Sequence, residues 1–309
     1  MKILVTGGTG MVGSAFNNIE TEHDLVLIGS SDYDLKWPFH THSMLDDHRP
    51  DAIIHLAARV GGVKGNSDYV ADFFHDNIMI NTNVLEAAKE YKVPKVVSLL
   101  STCIYPDKVT YPLTEDQIHQ GEPHRSNFGY AYAKRMLDAH SRAIRQQYGL
   151  NYVTVVPNNI YGPNDNFSKK YSHVIPAMIR NIHEAKVRNK APVFWGTGKC
   201  LREFTFSGDI ADILLWCVEN YNGEAPMNIG NPGEITIKDL AETLMNVMEY
   251  DGGAMWDLSK PEGQHRKPSS NSKFVNLVDD YCYTDLRIGL EKTVDWFMQT
   301  YPNVRGVEG

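Results

Sequence analysis

Met1-Lys2-Ile3-Leu4-Val5-Thr6-Gly7-Gly8-Thr9-Gly10-Met11-Val12-Gly13 is the stretch that decides the fold. Its apolar run is too short for a helix and reads as a buried strand. Gly8, Gly10 and Gly13 then fall in the spacing G-x-G-x-x-G, and Gly7, Gly10 and Gly13 in G-x-x-G-x-x-G. Glycines permit a tight turn and let the backbone approach a pyrophosphate at the start of the amphipathic helix that follows. A strand before the motif and a helix after it separate this reading from a glycine-rich hairpin turn. Gly7, Gly8, Thr9, Gly10, Met11, Val12 and Gly13 are therefore expected to cradle a dinucleotide.

Working outward, strands and helices alternate to about residue 160. Leu25–Ile28, Asp51–Leu56, Pro94–Leu100 and Asn151–Val156 read as strands, and 68–91 and 128–148 as long helices. This alternation predicts an α/β fold, a Rossmann-type doubly wound parallel sheet over residues 1–163. Beyond Pro163 helices near 172–189, 207–221, 237–249 and 285–300 alternate with short strands and Gly/Pro loops. A smaller, mainly C-terminal α/β substrate-binding domain over 164–309 is expected, with part of 200–230 returning to the first sheet. Ser259 to Lys273 is the one long polar loop.

The second strand runs into Gly29-Ser30-Ser31-Asp32, so no acidic residue directly follows it. An NAD ribose would want one there. Ser30 and Ser31 leave room for a 2′-phosphate, although no arginine is at hand to pair with it, and NADP is favoured over NAD. Asp34 and Leu35 lie where the adenine is expected. Leu56-Ala57-Ala58 ends the third strand in small residues against which a cofactor can lie.

Ser101 closes the fourth strand, and Tyr130 and Lys134 share one face of the 128–148 helix at i and i+4. Ser126 and Asn127 are expected to cap its start. The helix dipole and the Lys134 ammonium both favour a phenolate, drawing Tyr130 toward neutral pH as a proton donor and acceptor. Ser101 would hydrogen-bond the same carbonyl oxygen. These three suffice for hydride transfer to a carbonyl. Cys103 does not belong to that set, because plain hydride transfer requires no thiol, and it points to a second reaction in the same pocket.

With 309 residues and 42% apolar composition the chain can bury one large core or two unequal ones. A net charge of −8 argues against nucleic acid as a partner. The first apolar run leads straight into the glycine turn, so neither a leader nor a membrane span is expected there. Cys103, Cys200, Cys217 and Cys282 form no C-x-x-C pair, which suits reduced thiols in cytosol. The twelve histidines show no ligand spacing, and no metal is expected.

Gly7 to Gly13, Ser101, Tyr130 and Lys134 together resemble the extended short-chain dehydrogenase/reductase family. Within it, the chain is similar to the GDP-L-fucose synthases through Leu56-Ala57-Ala58-Arg59-Val60-Gly61-Gly62, Ser101-Thr102-Cys103-Ile104-Tyr105-Pro106 and Asn127-Phe128-Gly129-Tyr130-Ala131-Tyr132-Ala133-Lys134-Arg135-Met136. Asn159-Ile160-Tyr161-Gly162-Pro163-Asn164-Asp165-Asn166-Phe167, His173-Val174-Ile175-Pro176 and Trp195-Gly196-Thr197-Gly198 extend the likeness, which runs to about residue 300. The resemblance implies a homodimer that takes GDP-4-keto-6-deoxy-D-mannose, inverts C3 and C5, and reduces C4 with NADPH. It implies Cys103 as base, His173 as acid, and Lys134 on the nicotinamide ribose. Further cofactor contacts are implied at Leu99, Leu100, Pro157, Asn158, Asn159, Ile160 and His173. Asn159, Asn181, Trp195, Arg202, Glu262 and Lys267 are implied to bind the nucleotide-sugar, Arg202 and Lys267 at its diphosphate.

Three positions depart from that family pattern. Asn181 stands where a basic residue is usual, Glu262 where aspartate is common, and Thr9 where some members carry an arginine. A 4-epimerase or dehydratase of the same fold is the competing enzyme class. Cys103-Ile104 occupies the place where a dehydratase wants acidic residues. A silent dinucleotide-binding regulator is the competing non-enzyme class, against which the intact Ser101, Tyr130 and Lys134 speak.

Overall fold

The computed structural model describes residues 1–260 and 265–307. Strand β1 (Lys2–Thr6) leads through the glycine turn into α1 (Met11–Ala15), followed by β2 (Asp24–Ile28), α2 (Pro38–His48), β3 (Ala52–His55), α3 (Val63–Asp68) and α4 (Val70–Glu90). Next come β4 (Lys95–Leu99), α5 (Phe128–Tyr148), β5 (Asn151–Val156), β6 (Asn159–Tyr161) and α6 (Val174–Val187). The chain continues with β7 (Val193–Trp195), β8 (Leu201–Phe206), α7 (Ser207–Asn220), β9 (Met227–Asn228), β10 (Glu234–Thr236) and α8 (Ile237–Val247). It ends with β11 (Met255–Asp257), α9 (Ser272–Val275) and α10 (Leu286–Thr300). No helix among the described residues is long and apolar enough to cross a membrane.

Six strands form one parallel sheet in the order β2-β1-β3-β4-β5-β9. Alternating side chains feed two faces, as a sheet covered on both sides requires. Ile3, Val5, Ile54 and Val97 pack with Val12 and Phe16 from the start of the chain, Ile210 to Val218 of α7, and Phe274 of α9. Leu4, Ile53 and Val96 pack with Met44 and Leu45 of α2, Val84, Leu85 and Ala88 of α4, and Leu137 and Ile144 of α5. The order reverses at β1, with β2 on one side and β3 on the other, so the sheet opens a crevice beyond the carboxyl ends of those strands.

A second core gathers Tyr161, Phe167, Ile179 and Ile182 with Phe194, Phe204, Leu240, Leu244, Leu290 and Phe297. Around it lie a three-stranded sheet, β10-β8-β6, and the parallel pair β11-β7.

The 68–91 helix expected from the sequence is α4, and a separate short helix, α3, precedes it, divided from it at Tyr69 (φ −127°, ψ 44°). The expected polar loop to Lys273 closes early, because Lys273 already lies in α9.

Candidate active site

The glycine turn is built by contact. Gly7 has φ +73°, and a β-carbon on Gly13 would fall 2.3 Å from the Gly7 carbonyl oxygen. Only glycine lets the first turn of α1 settle against the end of β1, leaving its N–H groups directed outward. That cradle fits a dinucleotide pyrophosphate. Thr9 is exposed beside Gly29, where a β-carbon would meet Thr9 Oγ1 at 2.6 Å. Ser30 and Ser31 are exposed, and Asp32 turns its carboxylate back to accept the Gly29 N–H at 2.8 Å. Leu35 is buried and Asp34 half-buried, beside Lys36 at 3.7 Å. Leu56, Ala57 and Ala58 line the end of β3, and the nearly buried Leu99 and Leu100 the end of β4.

Under this crevice His55 is fully buried between Thr6 Oγ1 (2.8 Å from Nδ1) and Asn81 Oδ1 (3.1 Å from Nε2). Asn81 in turn donates to the Ala133 carbonyl at 3.3 Å, next to Lys134. Burial and the neighbouring Lys134 charge hold the imidazole down to about 3, so it stays neutral.

Ser101 follows β4 and caps a short 3₁₀ turn, Thr102–Ile104, its Oγ accepting the Cys103 N–H at 3.4 Å. Helix α5 brings Tyr130 and Lys134 to the same place. Lys134, only 2% exposed, donates to the Leu99 carbonyl at 2.7 Å and lies 6.0 Å from the Tyr130 ring centroid. Burial drives its pKa down to about 8.

Three expectations about this cluster are corrected. The Tyr130 phenol is pushed up, not down, because burial and the nearby Cys103 prevail over the helix dipole. Tyr130 therefore rests protonated, the state a proton donor needs. The Cys103 thiol is also raised by burial, against the pull of Ser101, Lys267 and Lys134. Finally, Asn127 stands at the N-cap of α5, but neither its side chain nor that of Ser126 makes a capping hydrogen bond there. Asn127 Oδ1 instead accepts from Asn66 Nδ2 of α3 at 3.0 Å, and His124 caps the 3₁₀ turn ahead of the helix.

His173 is exposed at the start of α6. Its imidazole acts electrostatically on Asp165, which is 6% exposed. Asp165 Oδ2 finds no hydrogen-bond partner among the described residues, and burial raises this carboxyl. Asn181 donates to the Val193 carbonyl at 2.5 Å, Trp195 is 59% exposed at the end of β7, and Arg202 donates to its own strand at the Leu201 carbonyl (2.6 Å). Lys267 donates to the Thr102 carbonyl at 3.0 Å. Glu262 lies outside the described residues.

Of the residues expected along the fifth strand, Pro157 is buried, Ile160 half-buried and Asn159 exposed, donating to the Glu203 carbonyl at 2.8 Å. Asn158 faces inward. It accepts from Thr205 Oγ1 at 2.6 Å and donates to Glu203 Oε2 at 3.2 Å. Glu203, 3% exposed, also accepts from Ser269 N (2.9 Å) and Ser269 Oγ (2.6 Å), tying the 265–271 segment to the floor of the site. Sequence reading missed Glu203, although the adjacent Arg202 was singled out. A charged residue inside the apolar β8 run was the available signal.

A doubly wound sheet with a glycine turn at its switch point, and a serine, a tyrosine and a lysine converging on one spot, defines a nicotinamide-dependent carbonyl oxidoreductase. Residues 3–230 match the NAD dependent epimerase/dehydratase family. A GDP-L-fucose synthase of Dictyostelium discoideum is 43% identical over 98% of this chain and 97% of its own. That of Escherichia coli is 35% identical over 99% of both. The crystal structure of a GDP-L-fucose synthetase from Naegleria fowleri bound to NADP superposes with a TM-score of 0.93 at 38% identity, covering 98% of this chain and 94% of that one. The chain belongs to the NAD dependent epimerase/dehydratase family and, within it, to the GDP-L-fucose synthases.

Proposed function

We propose that this chain epimerises GDP-4-keto-6-deoxy-D-mannose at C3 and C5 and then reduces C4 to give GDP-L-fucose. The observation that carries the reading is a thiol set among carbonyl-reducing groups: Cys103 hangs on the Ser101 turn, and Lys134 and Tyr130 both interact with it electrostatically.

C3 and C5 flank the C4 ketone, so their protons become acidic once an enolate is held. Cys103, ionised, takes the proton. The C–H bond breaks, an S–H bond forms, and the electron pair moves into the enolate. Tyr130 and Ser101 hydrogen-bond the oxygen on which that charge collects. His173 returns a proton to the opposite face of the carbon, which inverts the centre. NADPH, when bound, supplies the hydride for C4. Tyr130 gives its phenolic proton to the C4 oxygen, and Lys134 holds the nicotinamide ribose and steadies the phenolate left behind. Asn159, Asn181, Trp195, Arg202, Glu262 and Lys267 bind the GDP-sugar.

Residues 1–163, with the return of α7 and β9, hold the cofactor, and the remainder holds the sugar nucleotide. The chain works in the cytosol as a homodimer through α4 and α5, whose Phe74, Phe128 and Met136 are all exposed. Sedimentation would read twice the chain mass.

The test uses substrate, NADPH and deuterated water. Tyr130→Phe should bind cofactor but lose reduction. Cys103→Ser should keep cofactor binding and lose deuterium incorporation at C3 and C5. Normal incorporation by Cys103→Ser would overturn the assignment of the base.

A further inference from the structure

Lys267 reaches the active site from a segment far along the chain, yet its position is firmly set. Leu201 N donates to the His265 carbonyl at 2.9 Å, Leu113 N to the Pro268 carbonyl at 2.9 Å, and Ser269 is held twice by Glu203. Between these anchors the Lys267 ammonium donates to the carbonyl of Thr102, the residue between Ser101 and Cys103. Burial lowers its proton affinity, while the Cys103 charge works the other way.

The other groups facing Cys103 are Ser101 on its own turn and Tyr130, Lys134 and Arg135 from α5. Arg202 and Asp107 face Lys267. Lys134 is committed to the Leu99 carbonyl, and Arg135 to the Ile104 and Gly121 carbonyls, each at 2.6 Å. Arg135 and Lys267 both donate to the backbone of the thiol's own turn, Arg135 at its last residue, Ile104, and Lys267 at Thr102, between Ser101 and the thiol.

We propose that Lys267 is a positioning residue for Cys103: its ammonium pins the Thr102 carbonyl and supplies the positive charge that lets the thiol ionise. This rests on Cys103 being the base, and it gives Lys267 a role separate from a diphosphate contact. A phosphate ligand alone would govern substrate affinity. The role argued here governs the thiol with no substrate present.

The experiment is therefore alkylation of the substrate-free protein by iodoacetamide across a pH series, in a Cys282→Ser background because Cys282 is exposed. The thiolate sulfur attacks the reagent's methylene carbon, a C–S bond forms and iodide leaves. The Cys103 peptide is quantified by mass spectrometry. Lys267→Gln keeps a donor for the Thr102 carbonyl but removes the charge, and Lys267→Met removes both. Both should shift the profile upward by about one pH unit, slowing alkylation about tenfold below the thiol pKa. Lys267→Arg should restore the wild-type profile.

A Lys267→Gln profile that superposes on wild type, or no restoration by arginine, overturns the proposal. So does unfolding of both neutral variants, seen by circular dichroism, since Lys267 would then belong to the fold alone. Neither substrate nor cofactor enters this measurement. Its failure is thus distinct from failure of the epimerase reading, which deuterium incorporation tests.

Discussion

Gly62 and Ser172 meet backbone to backbone: a β-carbon on Gly62 would stand 2.9 Å from the Ser172 carbonyl oxygen. The contact is reinforced by the Gly62 N–H, which donates to the Tyr171 carbonyl at 3.0 Å. Gly62 begins α3, whose Asn66 also reaches Asn127 at the start of α5. One short helix therefore sets the loop before His173 against the helix that carries Tyr130 and Lys134.

Gly62→Ala is expected to push the 171–173 segment outward and displace His173. Misplacement of a reacting group by about 1 Å costs up to about a hundredfold in rate. Deuterium incorporation at C3 and C5 should fall at least tenfold by that reasoning, while cofactor affinity, set at the distant glycine turn, stays unchanged. Equal losses in both measurements would show that the contact does not act through His173.

Lys134 combines function with a cost to the fold. Its pKa falls from 10.5 to about 8 in the folded chain. Below pH 8 both folded and unfolded chains hold the proton, and the full burial penalty of about 3 kcal/mol applies. Between 8 and 10.5 the unfolded chain binds more protons, so stability rises with pH. Lys134→Met should abolish reduction, raise stability at neutral pH by about 2 kcal/mol, and remove the rise across that window. Urea unfolding at several pH values reads all but the activity.

His55 works in the opposite range. Its pKa drops from 6.5 to about 3 on folding, so below 6.5 the unfolded chain takes up a proton that the folded chain refuses. Stability is complete above 6.5 and drains away as pH falls toward 3, by on the order of 4 kcal/mol. His55→Gln should flatten that acid slope, leaving the part due to carboxylates. An unchanged slope in chemical unfolding would show that His55 is not buried neutral.

Much of this was legible locally. The helix read over 128–148 coincides with α5, which closes at Gly149 with φ +71°. Short apolar runs located five of the six strands of the main sheet to within a residue or two, because a sheet buried on both faces demands them, whereas β9 has only two residues and carries no such run. Helices α2 and α3 were not foreseen. Their composition is largely polar, and α3 exists by bridging two distant segments.

The sequence by itself determined the doubly wound fold, the dinucleotide turn and the grouping of Ser101, Cys103, Tyr130 and Lys134, since each follows from residues close together in the chain. Only the tertiary structure decided which groups hold protons and what supports them. Lys267 meets Thr102 across 165 residues and Glu203 meets Ser269 across 66. Tyr130, expected to be acidified by its helix, is instead raised by desolvation and by the nearby Cys103. Spacing carries local geometry, but proton affinity depends on desolvation and on charges that arrive from elsewhere in the chain.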